Sequence, residues 1–211
     1  MSSAAQPYPT ASDGDEVEDV KDRLRSAIRT ARSARSQRLR DEAAERLADV
    51  VSAIPEVASA SCVSVYASRP SEPGTSPLLE RLAARGVRVL LPVLGSGLQR
   101  DWAEYDGPDD LRERAPGRPP EPGGPTLGAA AIAEADAIVA PALAVDTAGA
   151  RLGQGGGWYD RALEHARPDA LVVALVFPEE LYDATSRPLP RERHDRTVGA
   201  VATPEGWRPV G

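Results

Sequence analysis

A glycine-rich segment, residues 150–161, constrains the chain most, because it places four glycines within five positions and follows an apolar stretch. The stretch, residues 137–141, has the composition of a buried strand. Glycine has no Cβ and tolerates positive φ, so such a loop can bring backbone N–H groups close to an anion. Residues 159–166 are predicted to form a helix whose N-terminus adds positive potential. The pattern predicts a phosphate-binding loop, with a flexible surface turn as the alternative.

Two known phosphate-binding motifs match this segment incompletely. The Walker pattern requires a Lys-Ser or Lys-Thr pair after the glycines, but the single lysine of the chain is Lys21. The dinucleotide fingerprint G-x-G-x-x-G is met at Gly153 and Gly155, but its third glycine falls on Trp158. Residues 143–148 also separate the loop from its strand. These departures give a Rossmann dinucleotide site only weak support, and an oxidoreductase that uses a dinucleotide stays open as an alternative function.

Hydrophobic periodicity predicts the order of the other elements. Helical spacing begins at residue 17, and a second amphipathic helix ends before Pro55. The remaining predicted helices are residues 76–86 and 129–135, and the predicted strands are residues 62–66, 87–92, 101–105, 137–141 and 171–177. A strand, a helix and a strand joined by short connections form a parallel pair. The sequence therefore predicts an α/β fold, a single Rossmann-like three-layer domain with a mostly parallel central sheet flanked by helices.

Composition also indicates where the domain begins, in which compartment the protein works and which ligands it does not bind. Residues 1–16 are acidic and without periodicity, so we expect a disordered tail before a domain over residues 17–211. Cys62 is the single cysteine, which excludes an internal disulfide framework. The chain has no apolar run of membrane-spanning length and no signal-peptide pattern, so we expect a cytoplasmic protein without membrane contact. Arginines spread along the chain do not indicate nucleic-acid binding, and two histidines make no case for zinc. We further expect a monomer.

The first helix carries a stripe of basic side chains opposite its apolar face. Lys21, Arg25, Arg29 and Arg32 follow one another at spacings of four and three residues, so their side chains lie on one side of the helix. A charged stripe of this kind is typical of a solvated helix face. The same spacing also suits a surface that binds anions. The pattern alone leaves both interpretations open.

The glycine-rich segment and the residues before it resemble a known family signature. Pro-Ala-Leu-Ala-Val-Asp at residues 141–146, Gly149, and Arg-Leu-Gly-Gln-Gly-Gly-Gly-Trp-Tyr-Asp-Arg at residues 151–161 resemble the signature of the 5-formyltetrahydrofolate cyclo-ligase (5,10-methenyltetrahydrofolate synthetase) family. The resemblance extends over roughly residues 18–205. It implies an enzyme that uses ATP and Mg²⁺ to convert 5-formyltetrahydrofolate into 5,10-methenyltetrahydrofolate, with release of ADP and phosphate.

The same resemblance implies which residues bind the nucleotide and the metal. The family begins with a Lys-x-x-Leu-Arg helix that contacts ATP, and this pattern falls on residues 21–25. The residues expected to bind ATP are Lys21, Arg25, Arg151, Gly153, Gly155, Gly156, Gly157, Trp158 and Tyr159. Arg151, Tyr159 and Asp160 are the expected catalytic residues. The family's Pro-x-Glu-x-His-Asp pattern falls on residues 190–195, so Asp160 and Asp195 are expected to hold Mg²⁺, which prefers carboxylate and phosphate oxygens.

The expected substrate contacts lie in two loops and include one departure from the family. Gln154 and Trp158 are expected to contact the folate, as are Glu72 and Thr75 in the loop after the first strand. The family carries an acidic residue immediately before this threonine, whereas this chain has Gly74, so Glu72 is the candidate replacement. The departure keeps a second hypothesis open, a non-catalytic or altered-substrate paralogue that still binds nucleotide. Residues 114–124, rich in Pro and Gly, are expected to form a flap over the site.

Overall fold

A seven-stranded sheet flanked by helices forms the centre of the protein. The computed structural model describes residues 8–9, 14, 16–94, 100–115, 117–192 and 195–211. The helices are α1 (Val17–Ser33), α2 (Gln37–Ser52), α3 (Pro55–Ala58), α4 (Ser76–Ala84) and α5 (Trp158–Ala162). The strands are β1 (Cys62–Ser64), β2 (Arg88–Val93), β3 (Asp101–Glu104), β4 (Ala137–Pro141), β5 (Ala144–Asp146), β6 (Arg151–Leu152), β7 (Leu171–Leu175), β8 (Leu181–Tyr182), β9 (Ala200–Thr203) and β10 (Gly206–Pro209). No helix in these described ranges is long and apolar enough to cross a membrane.

The large sheet is parallel in its centre and antiparallel at both edges. Its strand order is β10-β9-β7-β4-β1-β2-β3. The five inner strands pair in parallel, and β3 and β10 pair antiparallel with their neighbours. The predicted unit of β1, α4 and β2 forms a parallel pair, with Val63 opposite Val89. The structure therefore confirms the predicted α/β class with a mostly parallel central sheet.

A second, three-stranded sheet was absent from the sequence prediction. Its order is β6-β5-β8, with β5 antiparallel to β6 and parallel to β8. These strands are two or three residues long, too short for alternation of side chains to reveal them. The buried Asp146 carboxylate closes the turn between β5 and β6, because it accepts hydrogen bonds from the backbone N–H groups of Ala148 and Ala150. The glycine-rich segment begins in β6 of this sheet and ends in α5, so regular structure holds it at both ends.

Several predicted boundaries differ from the structure. The helix predicted over residues 159–166 is the five-residue α5 followed by a 3₁₀ turn at Leu163–His165, so its dipole is smaller than expected. Residues predicted as a helix near 129–135 form a 3₁₀ helix, Ala129–Glu134. Helix α2 ends at Ser52, and Pro55 begins the short helix α3, because proline is favourable at the first position of a helix. The terminal hairpin of β9 and β10 was not predicted.

Helix α1 packs on the three-stranded sheet through an apolar cluster. Val20, Leu24 and Ile28 are buried there. The same cluster contains Tyr8, which lies within the segment expected to be disordered, and the Arg187 guanidinium donates a hydrogen bond to the Tyr8 carbonyl. Residues 1–7, 10–13 and 15 of that segment lie outside the described residues.

Three of the four basic residues in the α1 stripe are buried and Arg29 is exposed, so the interpretation of the whole stripe as a solvated face is wrong. Lys21, Arg25 and Arg32 are 4%, 7% and 1% exposed. Arg32 lies farthest inside, where Nε and Nη2 donate to the two carboxylate oxygens of Glu180, each at 2.7 Å. Nη2 also donates to the carbonyl of Ala142 at 2.7 Å. This buried pair fixes α1 next to the carboxyl end of β4. Burial raises the pKa of Glu180, and the Arg32 guanidinium opposes that shift because it stabilises the charged carboxylate.

Replacement of Arg32 by Met tests how strongly this pair holds α1. The change leaves the Glu180 carboxylate buried without a cation, and we expect a loss of about 3–5 kcal/mol in the free energy of unfolding, measured by urea denaturation. Glu180→Gln should lower the free energy of unfolding much less in the Arg32→Met background than in the wild type, because in that background the Glu180 carboxylate has already lost its cation.

The matched control is Arg38→Met. Arg38 is exposed on α2, where it forms a surface pair with Glu42 four residues away. Exposed pairs of this kind contribute little to stability, so this variant should unfold like the wild type. Equal losses in Arg32→Met and Arg38→Met would contradict the stabilising role of the buried pair.

Candidate active site

A cavity of about 560 Å³ opens at the carboxyl ends of β1, β2 and β4. In parallel α/β sheets this edge is where ligands bind. Helix α1, the glycine-rich segment and the last part of the chain close its other sides. The lining residues from these elements include Glu18, Lys21, Arg25, Arg29, Tyr66, Arg69, Glu72, Pro92, Pro141, Arg151, Gly153, Gln154, Gly155, Gly156, Gly157, Trp158, Tyr159, Asp160, Glu192 and Asp195. The cavity therefore brings together every predicted site residue except Thr75.

Backbone conformation and close approach explain the glycines of the loop. Gly155 and Gly157 have φ values of +102° and +57°, which side chains rarely adopt. A Cβ at Gly153 would lie 2.9 Å from Nη1 of Arg151, and a Cβ at Gly155 would lie 3.5 Å from Cζ of Arg25. The loop is thus shaped to lie against two guanidinium groups. Gly156 has no atom within 4 Å of a Cβ position and faces open space among the described residues.

Two cations of α1 reach across the cavity. Arg25 donates from Nε to the carbonyl of Gly153 at 3.2 Å, and its Nη1 pairs with Glu18 at 2.7 Å and Asp22 at 2.6 Å. The Lys21 ammonium lies 2.7 Å from Glu192 Oε2 and 2.8 Å from Asp195 Oδ2.

Burial alone would lower the pKa of each of these two groups, but the carboxylates beside Lys21 and Arg25 reverse the effect and raise both values. Both side chains therefore remain charged at neutral pH. An anionic ligand that binds here must compete with carboxylates of the chain itself.

A third cation, Arg151, lies under the glycine loop. Its Nη2 donates to Asp160 Oδ1 at 2.8 Å and its Nη1 to the carbonyl of Pro141 at 3.3 Å. Its buried Nε has no partner among the described residues. The backbone N–H of Arg196 also donates to Asp160 Oδ1, at 3.1 Å, which brings the C-terminal segment onto the loop. Arg151 and Asp160 therefore join the strand end of β4, the glycine loop and this segment.

The carboxylates of the cavity suit a hard metal ion. Asp160 and Asp195 line the same cavity, together with Glu192. Within the part of the chain that the structure describes, no cluster of three or more potential ligand side chains builds a complete metal site. Mg²⁺ does not require one, because it usually takes one or two carboxylates and completes its shell with phosphate oxygens and water. The donor set fits Mg²⁺ bound together with a phosphate ligand.

Aromatic side chains form one wall of the cavity. The Trp158 ring packs edge to face against Trp102 and Tyr159, with ring centroids 5.2 and 4.9 Å apart. The Tyr159 hydroxyl and the Trp158 indole N–H are buried without a partner among the described residues. Burial raises the pKa of the Tyr159 phenol far above its ordinary value, so the hydroxyl stays protonated. Both groups are available as neutral hydrogen-bond donors to a ligand.

The loop after β1 places only one of its two predicted residues in the cavity. Glu72 lines it, whereas Thr75 is fully buried away from it. The Thr75 hydroxyl donates to the Tyr66 carbonyl at 2.7 Å and accepts from the Ser68 N–H at 3.1 Å, so it shapes the loop. A Cβ at Gly74 would lie 2.7 Å from the Ala44 Cβ on α2. This contact explains why position 74 carries no acidic side chain.

The structure also adds residues that the sequence reasoning did not select. Glu192 lies inside the Pro-x-Glu-x-His-Asp pattern and could have been identified from it, whereas His194 of that pattern lies outside the described residues. Arg29 belongs to the basic stripe but was not assigned a role. The segment expected to form a flap contributes Pro119 to the cavity, and the 1%-exposed Glu121 anchors it by accepting a hydrogen bond from the Leu94 N–H at 2.9 Å.

Sequence comparison relates the whole domain to one family. A model described as the 5-formyltetrahydrofolate cyclo-ligase family matches residues 17–204. The chain is 40% identical over 190 residues to the 5-formyltetrahydrofolate cyclo-ligase of Mycolicibacterium smegmatis, which covers 88% of this chain and 94% of that protein. It is 32% identical over 180 residues to the Escherichia coli K12 enzyme of the same name, with coverage of 84% and 96%.

Solved structures give the same relationship. The NMR structure of Aquifex aeolicus 5,10-methenyltetrahydrofolate synthetase superposes with a TM-score of 0.75 at 25% identity, covering 90% of this chain and 92% of that one. A 5,10-methenyltetrahydrofolate synthetase from Mycoplasma pneumoniae, 16% identical, shares the fold with a TM-score of 0.66 over 87% of this chain and 98% of that one. The match of the family model over nearly the whole domain, with a 40% identical relative, shows that this chain belongs to the 5-formyltetrahydrofolate cyclo-ligase family.

Proposed function

We propose that the protein converts 5-formyltetrahydrofolate into 5,10-methenyltetrahydrofolate, with ATP converted to ADP and phosphate. The observation that carries this proposal is the convergence of the Lys21 and Arg25 side chains with the glycine loop in one cavity. Three cations and several backbone groups at the edge of a parallel sheet suit a polyphosphate. The aromatic wall with its unpartnered donors offers a place for a flat polar ring on the other side. Family membership supports the choice of substrate.

The reaction needs phosphoryl transfer because a formyl oxygen bound to nitrogen leaves poorly. Transfer of the γ-phosphoryl group from ATP to that oxygen converts it into a phosphate ester. N10 of the folate then attacks the formyl carbon and loses its proton, the five-membered ring closes, and phosphate leaves with the oxygen. Phosphoryl transfer depends mainly on positioning and on neutralisation of charge, with little covalent chemistry by the protein. The residues required are therefore those that hold the two substrates in line.

The chain's own residues are placed to do this. Lys21 and Arg25 would bind phosphate oxygens from α1, and Gly153–Gly157 would present their backbone opposite. Arg151, below the loop, would stabilise the charge that develops on the transferred group. To do so, these cations exchange their present carboxylate partners for phosphate. The buried Tyr159 hydroxyl and the Trp158 indole would orient the folate and exclude water.

Asp160 and Asp195 would hold the Mg²⁺ that accompanies the nucleotide. The bound ion neutralises phosphate charge, which the carboxylates alone cannot do. Both carboxylates now pair with cations of the chain, Asp160 with Arg151 and Asp195 with Lys21. Release of Asp195 to a metal would therefore remove one of the two carboxylates that pair with Lys21 and make its ammonium more available to phosphate, which links metal binding to nucleotide binding.

The direct test of the function is the absorbance of methenyltetrahydrofolate formed from 5-formyltetrahydrofolate. We expect product only when ATP and Mg²⁺ are both present, and one ADP for each product molecule. Binding of nucleotide without any product would favour the non-catalytic or altered-substrate paralogue. Calorimetric binding of NAD(P) in place of ATP would favour a dinucleotide-dependent oxidoreductase.

Lys21→Ala tests the phosphate-binding role of α1. Loss of one charged hydrogen-bond donor should raise the KM for ATP by about tenfold or more. Because Lys21 is buried beside two carboxylates, the melting temperature should fall as well. Arg38→Ala, on the exposed side of α2, should change neither quantity. A lower melting temperature with an unchanged KM for ATP would assign Lys21 a purely structural role.

A double-mutant cycle tests whether Asp160 and Asp195 share one metal ion. Asp160→Asn and Asp195→Asn should each lower kcat/KM by about tenfold or more. If both act through one ion, the double variant should lose much less than the product of the two single losses. The affinity for Mn²⁺ in the presence of ADP, measured by electron paramagnetic resonance, should fall in the same variants that lose kcat/KM.

The matched control for this cycle is Asp169→Asn, because Asp169 is exposed and pairs only with Arg167 among the described residues. It should leave kcat/KM and Mn²⁺ binding unchanged. Multiplicative losses in the Asp160 and Asp195 variants, together with wild-type Mn²⁺ binding, would refute the shared metal site.

A further inference from the structure

Glu72 is a buried carboxylate that lines the cavity and forms no ion pair with the described residues. Glu72 is 8% exposed. Its two hydrogen bonds come from neutral donors, the Arg69 N–H to Oε2 at 2.9 Å and the Gln154 amide to Oε1 at 3.0 Å. None of the ion pairs formed by the described residues includes it. Burial of an unpaired carboxylate is costly, so its retention points to a ligand that supplies the missing donors.

The orientation of Gln154 is determined by its two neighbours. The Arg29 guanidinium donates from Nε to Gln154 Oε1 at 3.2 Å, and from Nη2 to the Gln154 backbone carbonyl at 2.8 Å. A guanidinium can only donate and a carboxylate can only accept. The amide oxygen must therefore face Arg29 and the amide nitrogen must face Glu72. Both neighbours require the same orientation of the amide.

Arg29 contributes little to the fold itself. It is exposed, whereas the other basic residues of the stripe, Lys21, Arg25 and Arg32, are buried. Within the described structure, the hydrogen bonds of its side chain go to Gln154 alone. With Arg25 bound to the carbonyl of Gly153, the two arginines hold consecutive carbonyls of the glycine loop. Arg29 therefore determines where the loop presents the Gln154 amide.

We propose that Arg29 is a positioning residue for the substrate end of the cavity, acting through Gln154 to orient the Glu72 carboxylate toward a ligand with adjacent N–H donors. This inference rests on the proposed function, in which the 2-amino-4-oxopyrimidine edge of the reduced folate is such a ligand. A carboxylate accepts two parallel N–H groups from an edge of this kind. The close contact between Gly74 and Ala44 leaves Glu72 as the acidic residue that this loop can offer to the cavity.

Arg29→Met and Gln154→Leu test the proposal without removing a buried charge. Both variants should raise the Kd of 5-formyltetrahydrofolate, measured by calorimetry without ATP, by about five- to tenfold. The KM for 5-formyltetrahydrofolate should rise in proportion, with kcat and the KM for ATP within about twofold of the wild type. Arg29→Lys retains one donor and should recover part of the affinity. The melting temperature should stay unchanged in Arg29→Met, because the side chain is exposed.

The double variant separates a relay from two independent contacts. If Arg29 acts only through Gln154, Arg29→Met/Gln154→Leu should bind 5-formyltetrahydrofolate as Gln154→Leu does. Arg38→Met is the control for loss of an exposed arginine and should bind like the wild type. Losses that multiply in the double variant, or a rise in the KM for ATP with unchanged folate affinity, would overturn the relay.

The two proposals fail in distinguishable ways. Wild-type protein that binds 5-formyltetrahydrofolate but forms no product would refute the proposed reaction, and the Kd values would still decide the role of Arg29. Wild-type turnover with Arg29→Met indistinguishable from it would refute the relay alone. Wild-type protein that does not bind 5-formyltetrahydrofolate would overturn both.

Discussion

The buried ion pair between Arg32 and Glu180 is the contact on which the site depends. It fixes α1 against the end of β4, where Arg32 also reaches the Ala142 carbonyl. Lys21 lies eleven positions earlier on the same helix, about 16 Å away at the rise of an α-helix. A rigid helix anchored at one end carries its other basic side chains to defined places. The cavity wall is therefore a consequence of the packing of α1 on the small sheet.

The cations of the cavity are held in place before any ligand binds. Lys21, Arg25 and Arg151 each pair with carboxylates of the chain. Such pairs restrict the side chains, so less conformational entropy is lost when phosphate replaces the carboxylates. They also make the cavity neutral enough to be stable without a ligand. The same partners thus serve stability in one state and binding in the other.

The sequence predicted the parts of the fold that have long or strongly apolar patterns. Strand β4 was predicted with its correct bounds, because an apolar run that begins after Asp136 indicates a buried strand and Pro141 marks its end. The glycine loop and its assignment to a family followed from a long signature at residues 141–161. The small sheet escaped prediction because β6 and β8 contain two residues each. Alternation of side chains cannot be recognised in strands of only two residues.

The remaining differences arise from contacts between residues far apart in the sequence. The burial of the α1 stripe depends on Glu180, about 150 positions away, and no local pattern signals that partner. The exclusion of a side chain at Gly74 depends on Ala44 of another helix. Thr75 matched the family pattern, yet its hydroxyl is used by the loop backbone. Residue identity indicated the chemistry, and only the fold shows which groups remain available to a ligand.

The most direct test of the account is a crystal structure of the protein with Mg²⁺ and a non-hydrolysable ATP analogue. We expect the phosphates between α1 and the glycine loop, with Lys21 and Arg25 within hydrogen-bond distance of phosphate oxygens and separated from their present carboxylate partners. The metal should contact Asp160 and Asp195. Phosphates bound elsewhere, with Lys21 still paired to Glu192 and Asp195, would contradict the central claim that α1 and the loop together form the nucleotide site.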